Sequence, residues 1–433
     1  MPTGPISLPQ AYRIALANNH TLRLAREDVG IAQQQVYVAR SLFLPQVTAG
    51  YGYDIRDREV EVGLGAAIFP TAEKEFQRAE LKVQMTIWDF GRSLGKYERA
   101  ELGKQIADLQ RRRMEQSVLY QTARAYFNLL RAQKARTIAA EALKQALSHL
   151  ETARSFFRNG VVDKNDVLRA EVQVAEVRQQ LITAENAVEL ARSVLNNVLG
   201  INVNHQTEVV DVTSAPKLRM SLAAALQRAV DCRPEFEIAQ KAILQEEAGL
   251  TEARGEFLPR IYVSGSLNRL DDDYQVHKNS AIAELGITMD LFTGGRRIAL
   301  YRIARQRRRK AVETAKQICD GIALEVKQAL LGVEEARKRL SVAEKAVSQA
   351  DENLRLIENK YKQTAATPTD VVDAETLRTR AHQNYYAALY DLITAVKRLE
   401  FAMGTITADG GEAHPPQPTT TGASPATGKE KAK

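Results

Sequence analysis

The chain is poor in the residues that most often betray a function. Its 433 residues contain only two cysteines. Cys232 and Cys319 are too few for a disulfide framework and lack metal-ligand spacing, so both read as packed or idle thiols. Aromatic residues make up 6% of the chain. No run of about 18 apolar residues occurs, which excludes a membrane-spanning helix. The histidines, among them His20, His149, His277 and His382, form no HxxxH or other metal pair. There is no Gly-rich phosphate loop before a helix and no nucleophile elbow, so nothing calls for an enzyme, a cofactor or a resident metal. The opening Met1-Pro2-Thr3-Gly4-Pro5 has neither a charged nor an apolar leader region. As written, no signal peptide is visible, and the expectation is a numbering that begins after a removed or missed signal.

What is present is helix-forming sequence. Ala, Gln, Glu, Arg and Leu dominate, which with helical periodicity points to long helices. The length alone suggests two or three domains. The net charge of +7 suits nucleic acid or anionic lipid and selects neither.

The chain is also written twice. Ser7-Leu8 recurs as Ser221-Leu222, Ala39-Arg40 as Ala253-Arg254, and Phe43-Leu44-Pro45 as Phe257-Leu258-Pro259, all 214 residues apart. Beyond the prolines the shift becomes 204: Gly91-Arg92 recurs as Gly295-Arg296, Phe157 as Tyr361, Asp166-Val167 as Asp370-Val371, and Gly200 as Gly404. The first copy therefore holds ten extra residues between Pro45 and Gly91, where a loop is expected. The repeats span 7–200 and 221–404. Residues 1–6 lead in, 201–220 link the repeats, and 405–433 read as a disordered tail rich in Gly, Pro, Thr, Ala and Lys.

Within each repeat the period changes twice. A short helix capped by Ser7 or Ser221 comes first. A second helix over about 21–43, or 234–257, stops at Leu-Pro. The period then drops to two. Val47, Ala49, Tyr51, Tyr53 and Ile55 alternate with polar or small residues, as do Leu81, Val83, Met85 and Ile87. In the second repeat Ile261, Val263 and Leu267 alternate likewise, followed by Ala283, Leu285, Ile287 and Met289. This predicts one β-hairpin per repeat, over 46–90 and 260–292, and four strands in all. Helical periodicity returns at Gly-Arg. The spans 92–158 and 296–362 predict rods on the order of 100 Å, and helices over 162–199 and 369–403 return alongside.

Strands of about ten residues, tilted near 40°, span roughly 25 Å, the apolar height of an outer-membrane barrel. One face would meet lipid and the other a wet lumen. A small soluble sandwich with the apolar face inside fits the strand pattern equally well. Four strands cannot close a barrel, since about eight is the practical minimum. Open edges invite pairing with further copies, and a cyclic oligomer removes every edge.

At this point the chain resembles the TolC-like family of outer-membrane efflux ducts. The resemblance rests on the duplicated Phe-Leu-Pro, the exits Trp88-Asp89-Phe90-Gly91-Arg92 and Leu291-Phe292-Thr293-Gly294-Gly295-Arg296, and Asn159-Gly160-Val161 followed by Asp166-Val167-Leu168-Arg169-Ala170. It implies a mainly α fold with a small β part: a homotrimer whose strands complete a twelve-stranded barrel above a long α-helical barrel. It further implies location in the outer membrane and periplasm of a Gram-negative bacterium. The implied partners are a periplasmic adaptor, an inner-membrane pump and outer-membrane lipid, with no nucleic acid. The function implied is a passive exit duct for efflux or type I secretion.

The resemblance places Asp370 and Asp373 at the pore constriction, where three-fold symmetry makes rings of carboxylates; Asp370 also reads as a helix cap after Thr367-Pro368-Thr369. Adaptor tips would dock around Phe157, Asn159, Gly160, Val161, Tyr361, Thr364 and Pro368. Lipid would face Val47, Ala49, Tyr51, Val83, Met85, Ile87, Val263, Leu285, Ile287 and Met289. Trp88, Phe90 and Phe292 fall where an interfacial aromatic girdle sits. Arg92, Lys96, Arg296, Arg297 and Arg302 are near enough to the hairpins to meet lipid head groups. The chain departs from the family at Thr364 and Ala366, where a Gly and the founding member's basic latch residue stand, which puts a salt-bridge latch there in doubt. Arg111-Arg112-Arg113 and the basic run Arg305 to Lys310 read as solvated helix faces, having no aromatic platforms beside them for nucleic acid. A soluble coiled-coil scaffold and a basic nucleic-acid-binding protein stay open as alternatives.

Overall fold

The computed structural model describes residues 4–212, 219–363 and 365–408. They fall into two compact units: one gathers the chain up to Leu22, Arg113–Pro234 and Gly321 onward, the other Arg23–Arg112 and Glu235–Asp320. The units cut across the repeats, since each repeat contributes to both.

In chain order, α1 (Leu8–Asn18) and α2 (His20–Arg40) precede a 3₁₀ turn at Ser41–Phe43. The strands β1 (Gln46–Ile55), β2 (Val60–Leu64), β3 (Ala67–Ala72) and β4 (Glu75–Trp88) follow, then α3 (Arg92–Arg158) and α4 (Lys164–Leu199). The second repeat gives α5 (Leu222–Cys232), α6 (Pro234–Gly255), β5 (Arg260–Asp271), β6 (Asn279–Thr288), α7 (Arg296–Lys362) and α8 (Pro368–Ala402).

In the unit that holds the strands, β1-β4-β5-β6 form one antiparallel sheet in that order. β1 meets β4 from Gln46↔Gln84 to Ile55↔Glu75, and β5 meets β6 from Arg260↔Thr288 to Arg269↔Asn279. Moving β1 by 214 and β4 by 204 turns the first register into the second, so the repeat is kept to the residue. β4 and β5 join the repeats, with Leu81 opposite Leu267. That leaves β1 and β6 as the two edges.

The expected single hairpin over 46–90 is more elaborate. Its extra residues fold as a separate ribbon, β2 on β3, with Val62 opposite Phe69 and Leu64 opposite Ala67. The reason is itself in the local pattern: Val60, Val62 and Leu64 alternate with Glu61 and Gly63, and Gly65 turns the chain at φ +68°. The described residues thus hold six strands, four of them in the main sheet.

Helices leave the sheet through duplicated joints. Phe43 meets Tyr97 edge-on with centroids 6.1 Å apart, and Phe257 meets Tyr301 likewise at 6.3 Å. Arg92 donates to the carbonyls of Gly255 (2.8 Å) and Leu258 (2.6 Å). Arg297 donates to Glu256 and Leu291 carbonyls and lies 5.5 Å above the Phe257 ring. Both guanidiniums therefore satisfy backbone carbonyls where α6 ends and β6 exits, instead of reaching for head groups. Lys96, Arg296 and Arg302 remain exposed.

The other unit closes each repeat on a glycine. Gly200 ends α4 at φ +69°, and a Cβ there would lie 2.4 Å from the Asn18 carbonyl oxygen. Gly404 follows α8 at φ +72°, and its Cβ would lie 2.9 Å from the Cys232 backbone. Around the first joint Asn19 donates to the Val198 carbonyl (2.8 Å); at the second Arg233 donates to the Ala402 carbonyl (3.1 Å). Buried Asn196 donates to the carbonyls of Val203 and His205 and accepts from Thr207, which lays the start of the linker against α4. Ile6 pairs with Val209, and the Tyr126 hydroxyl donates to the Val210 carbonyl at 2.6 Å. Packing continues past the expected start of the tail: Ile406 is buried, while 409–433 lie outside the described residues. α7 carries Gly321 and Gly332 in mid-helix, and neither has a neighbour within reach of an added Cβ.

Gly200→Ala or Gly404→Ala should cost at least about 2 kcal/mol, combining a left-handed backbone with a clash. Gly160→Ala, at φ +72° in open space, should cost only about 1 kcal/mol. Urea unfolding of the three variants checks the order.

Candidate membrane face and helix tips

Residues opposite one another in an antiparallel ladder share a face. The register therefore gathers Val47, Ala49 and Tyr51 of β1, Val83 and Met85 of β4, Val263 of β5, and Leu285 and Ile287 of β6 on one side of the sheet. Ala79, Leu81, Gly265, Leu267, Ala281 and Ala283 lie among them. This apolar face is bare: Tyr51 is 72% exposed and Leu285 74%. The other face carries Asp54, Arg78, Glu80, Lys82, Ser264 and Glu284. There the Tyr262 hydroxyl donates to Glu284 at 2.7 Å, and Arg78 lies 3.8 Å from Asp54.

Four of the singled-out residues sit off the ladder. Ile87 falls in a bulge between Thr86 and Trp88. Met289 follows the last residue of β6. Phe90 and Phe292 lie beyond the strand ends, Phe90 in a turn at φ +54° and edge-on to Trp88 at 6.0 Å. Period-two reading misses such offsets because a bulge adds a residue without changing the composition.

At the first helix tip, the Gly160 N–H donates to the Phe157 carbonyl (3.0 Å) and the Val161 N–H to the Phe156 carbonyl (2.9 Å). This is a Schellman closure with Gly160 in the left-handed position. Asn159 donates its side-chain amide to the Ser155 carbonyl, and Asp163 precedes α4 as its N-cap. Phe157 and Val161 stay exposed. At the second tip the Ala365 N–H donates to the Lys360 carbonyl at 2.8 Å; Thr364 lies outside the described residues. Pro368 opens α8, where its missing N–H costs nothing. Tyr361 is half-buried, its ring 5.8 Å from both Phe156 and His149.

Asp370 closes a capping box. Its carboxylate accepts from the Thr367 N–H (2.8 Å) and hydroxyl (2.7 Å), while the Asp370 N–H donates to the Thr367 hydroxyl. Those bonds, the backbone one foremost, hold its carboxyl below the usual range. Asp373 is exposed one turn on, on the same side of α8.

Three titratable features escaped the sequence reading, because each depends on how helices pack and neither repeat nor motif marks it. Asp351 on α7 accepts from Arg378 (2.7 Å) and contacts His382 (3.0 Å) on α8. Burial alone would raise its carboxyl, but those two partners outweigh it and hold the group low. His149 is pushed down by burial. Glu375 is pushed up to about 7 by burial and by Glu358, against an opposing pull from Arg378.

The folded chain thus favours neutral Glu375. Its contribution is fully present below about 4.5, its ordinary value, and is lost as pH rises through about 7. Backbone amides of α8 near Glu375 should be more strongly protected from exchange, relative to their intrinsic rates, at pH 5 than at pH 8. Glu375→Gln should remove most of that difference.

Comparison with known proteins agrees with this geometry. The family model described as outer membrane efflux protein matches residues 11–201 and 225–405. The outer membrane efflux protein BepC of Brucella suis is 22% identical over 94% of this chain and 88% of its own. The outer membrane protein TolC of Escherichia coli is 23% identical over 92% and 82%. The fold matches that of the Campylobacter jejuni CmeC outer membrane channel with a TM-score of 0.81, at 16% identity over 92% of this chain and 85% of the other. With both repeats matched separately and in order, the chain belongs to the outer membrane efflux protein family.

Proposed function

We propose that three copies of this chain form a passive exit duct through the outer membrane, the terminal piece of a tripartite efflux or type I secretion system. One observation carries the reading: a four-stranded sheet with two unpaired edges, charged on one face and on the other bare and apolar through its middle, giving way to Gln77, Arg269 and Asn279 only toward one end. A soluble scaffold gives no account of so large a bare apolar face. In a bilayer that face is covered by lipid, and three sheets edge to edge close a twelve-stranded barrel around the polar face.

The helices support the same assembly. Leu168, Val172, Ile182, Leu190 and Val194 form an exposed apolar stripe on α4, and Leu324, Leu331, Val342 and Leu356 form one on α7. Stripes at helical spacing suit packing between neighbouring helices of different copies. The hollow so enclosed would narrow at Asp370 and Asp373, each repeated three times. The exposed tip residues Phe157, Asn159, Gly160 and Val161, with Tyr361, Thr364 and Pro368, would receive a periplasmic adaptor that joins the duct to an inner-membrane pump. Among similar chains, one is named an alkaline protease secretion protein and another the outer membrane protein of a toluene efflux pump. Such different cargoes on one scaffold fit a duct that leaves selection to its pump.

Purified protein in planar bilayers should conduct in discrete steps, and electrically silent bilayers would overturn the duct. Asp370→Ala with Asp373→Ala should weaken block by polyvalent cations; unchanged block would remove both from the constriction. Leu285→Arg or Ile287→Arg should cost about 2–4 kcal/mol near mid-bilayer, read as lost heat resistance of the membrane-inserted oligomer.

A further inference from the structure

Each repeat folds two long helices back on each other, α3 on α4 and α7 on α8, and a shift of 204 residues lays the first pair on the second. Near its tip the first pair is closed by an apolar core of Ala146, Leu150, Ala153, Ala170 and Val174. Beside that core Arg154 of α3 donates to Glu171 of α4 at 2.8 Å, and both are exposed. The second pair keeps Leu354, Val371 and Ala374 buried, but it carries charge where the first is apolar. Arg378 stands for Val174 and Asp351 for Leu147, and the two join at 2.7 Å. Glu358 stands for Arg154 and Glu375 for Glu171. A site of opposite charges in the first repeat is therefore a site of like charges in the second.

The surroundings of Glu375 sharpen the contrast. Glu358 and Glu375 are both half-buried. Glu375 also borders a cavity of about 300 Å³ between α3, α4 and α8. Gln145 of α3 and Gln173 and Gln180 of α4 face that cavity, and they bring amides without charge. The cations nearby are both on α8. Arg380 lines the cavity but is itself exposed, and Arg378 is already held by Asp351, which His382 also contacts at 3.0 Å. Two carboxylates in such a place do not both ionise at low cost, because burial and mutual repulsion favour keeping a proton.

We propose that the proton on Glu375, opposite Glu358, decides whether α7 and α8 stay paired near their tip, so that the second hairpin is clasped in acid and loosened in base while the first is not. Neutral Glu375 stays against Glu358. Ionised Glu375 leaves the contact or draws α8 away with it. The clasp is therefore complete in acid and weakens as pH rises through about 7. The first hairpin has Arg154 in place of the second carboxylate and keeps its apolar core, so it has no such dependence. The contact lies within one chain and stands whether or not copies assemble. Asp370 and Asp373 lie on the same helix, five and two residues before Glu375. If the duct reading holds, the clasp also sets how firmly α8 holds the constriction.

The test follows amide exchange, relative to intrinsic rates, in the full chain in detergent. From pH 5 to pH 8, protection around Glu358 and Glu375 should fall at least about tenfold, while protection around Arg154 and Glu171 holds. Glu358→Arg, which writes the first repeat's pair into the second, should remove most of the fall and raise protection at pH 8. Glu358→Gln, which removes only the like charge, should reduce the fall by less, and it carries the test if the arginine variant does not fold. A fall of equal size in both hairpins, or one that the folded variants leave unchanged, would overturn the clasp. Either result would leave the duct in place, since conduction in planar bilayers is measured separately.

Discussion

Backbone hydrogen bonds at the edge of a sheet have nowhere to go in hydrocarbon. Each N–H or C=O left unpaired there costs several kcal/mol. β1 and β6 carry such edges beside a face made of Val, Ala, Tyr, Leu, Ile and Met, the face least suited to water. That conflict cannot be resolved within one chain, because four strands are too few to curl shut. The proposed assembly of three chains resolves it between copies, and the exposed apolar stripes on α4 and α7 are of the kind such an assembly would cover.

Duplication makes the solution economical. The β1–β4 register reappears in β5–β6, and the Phe43–Tyr97 contact reappears as Phe257–Tyr301. Even the helix joint reappears, with Gly200 against Asn18 and Gly404 against Cys232. What differs between the copies is informative for that reason. Within one chain Arg99 of α3 pairs with Glu252 of α6, and Gln245 donates to the Arg99 carbonyl. The repeat-equivalent positions Ile303, Val38 and Ile31 carry exposed aliphatic side chains instead.

Much of this was legible in the sequence. The rods 92–158 and 296–362, the stop at Leu-Pro and the paired strands are set by local chemistry: helix formers without breakers, proline, and period-two alternation. The residues on one sheet face followed from parity alone. The β2–β3 ribbon was missed because its alternation is short and sits where an insertion reads as loop. The bulge at Ile87 was missed because one extra residue leaves no compositional trace. Arg92 and Arg297 looked free because the carbonyls they satisfy are distant in sequence. Asp351 with Arg378 and His382, and Glu375 with Glu358, depend on how two helices are rotated about each other, which a single sequence does not encode in any pattern of spacing. The capping role of Asp370 was visible, being three residues from its partner; whether it also rings a pore depends on copies of the chain outside its own fold.

The two 67-residue helices have equal length and place their glycines differently. Gly321 and Gly332 stand in the middle of α7 with no neighbour that requires a missing side chain. Each weakens a helix by about 1 kcal/mol relative to alanine, and α3 has Ser117 and Asn128 at the matching places. α3 carries its own two glycines, Gly95 and Gly103, near its start, where both lie against α6. Duplication preserved the span of the rod and moved its weak points: they are packed at one end of α3 and unsupported half-way along α7.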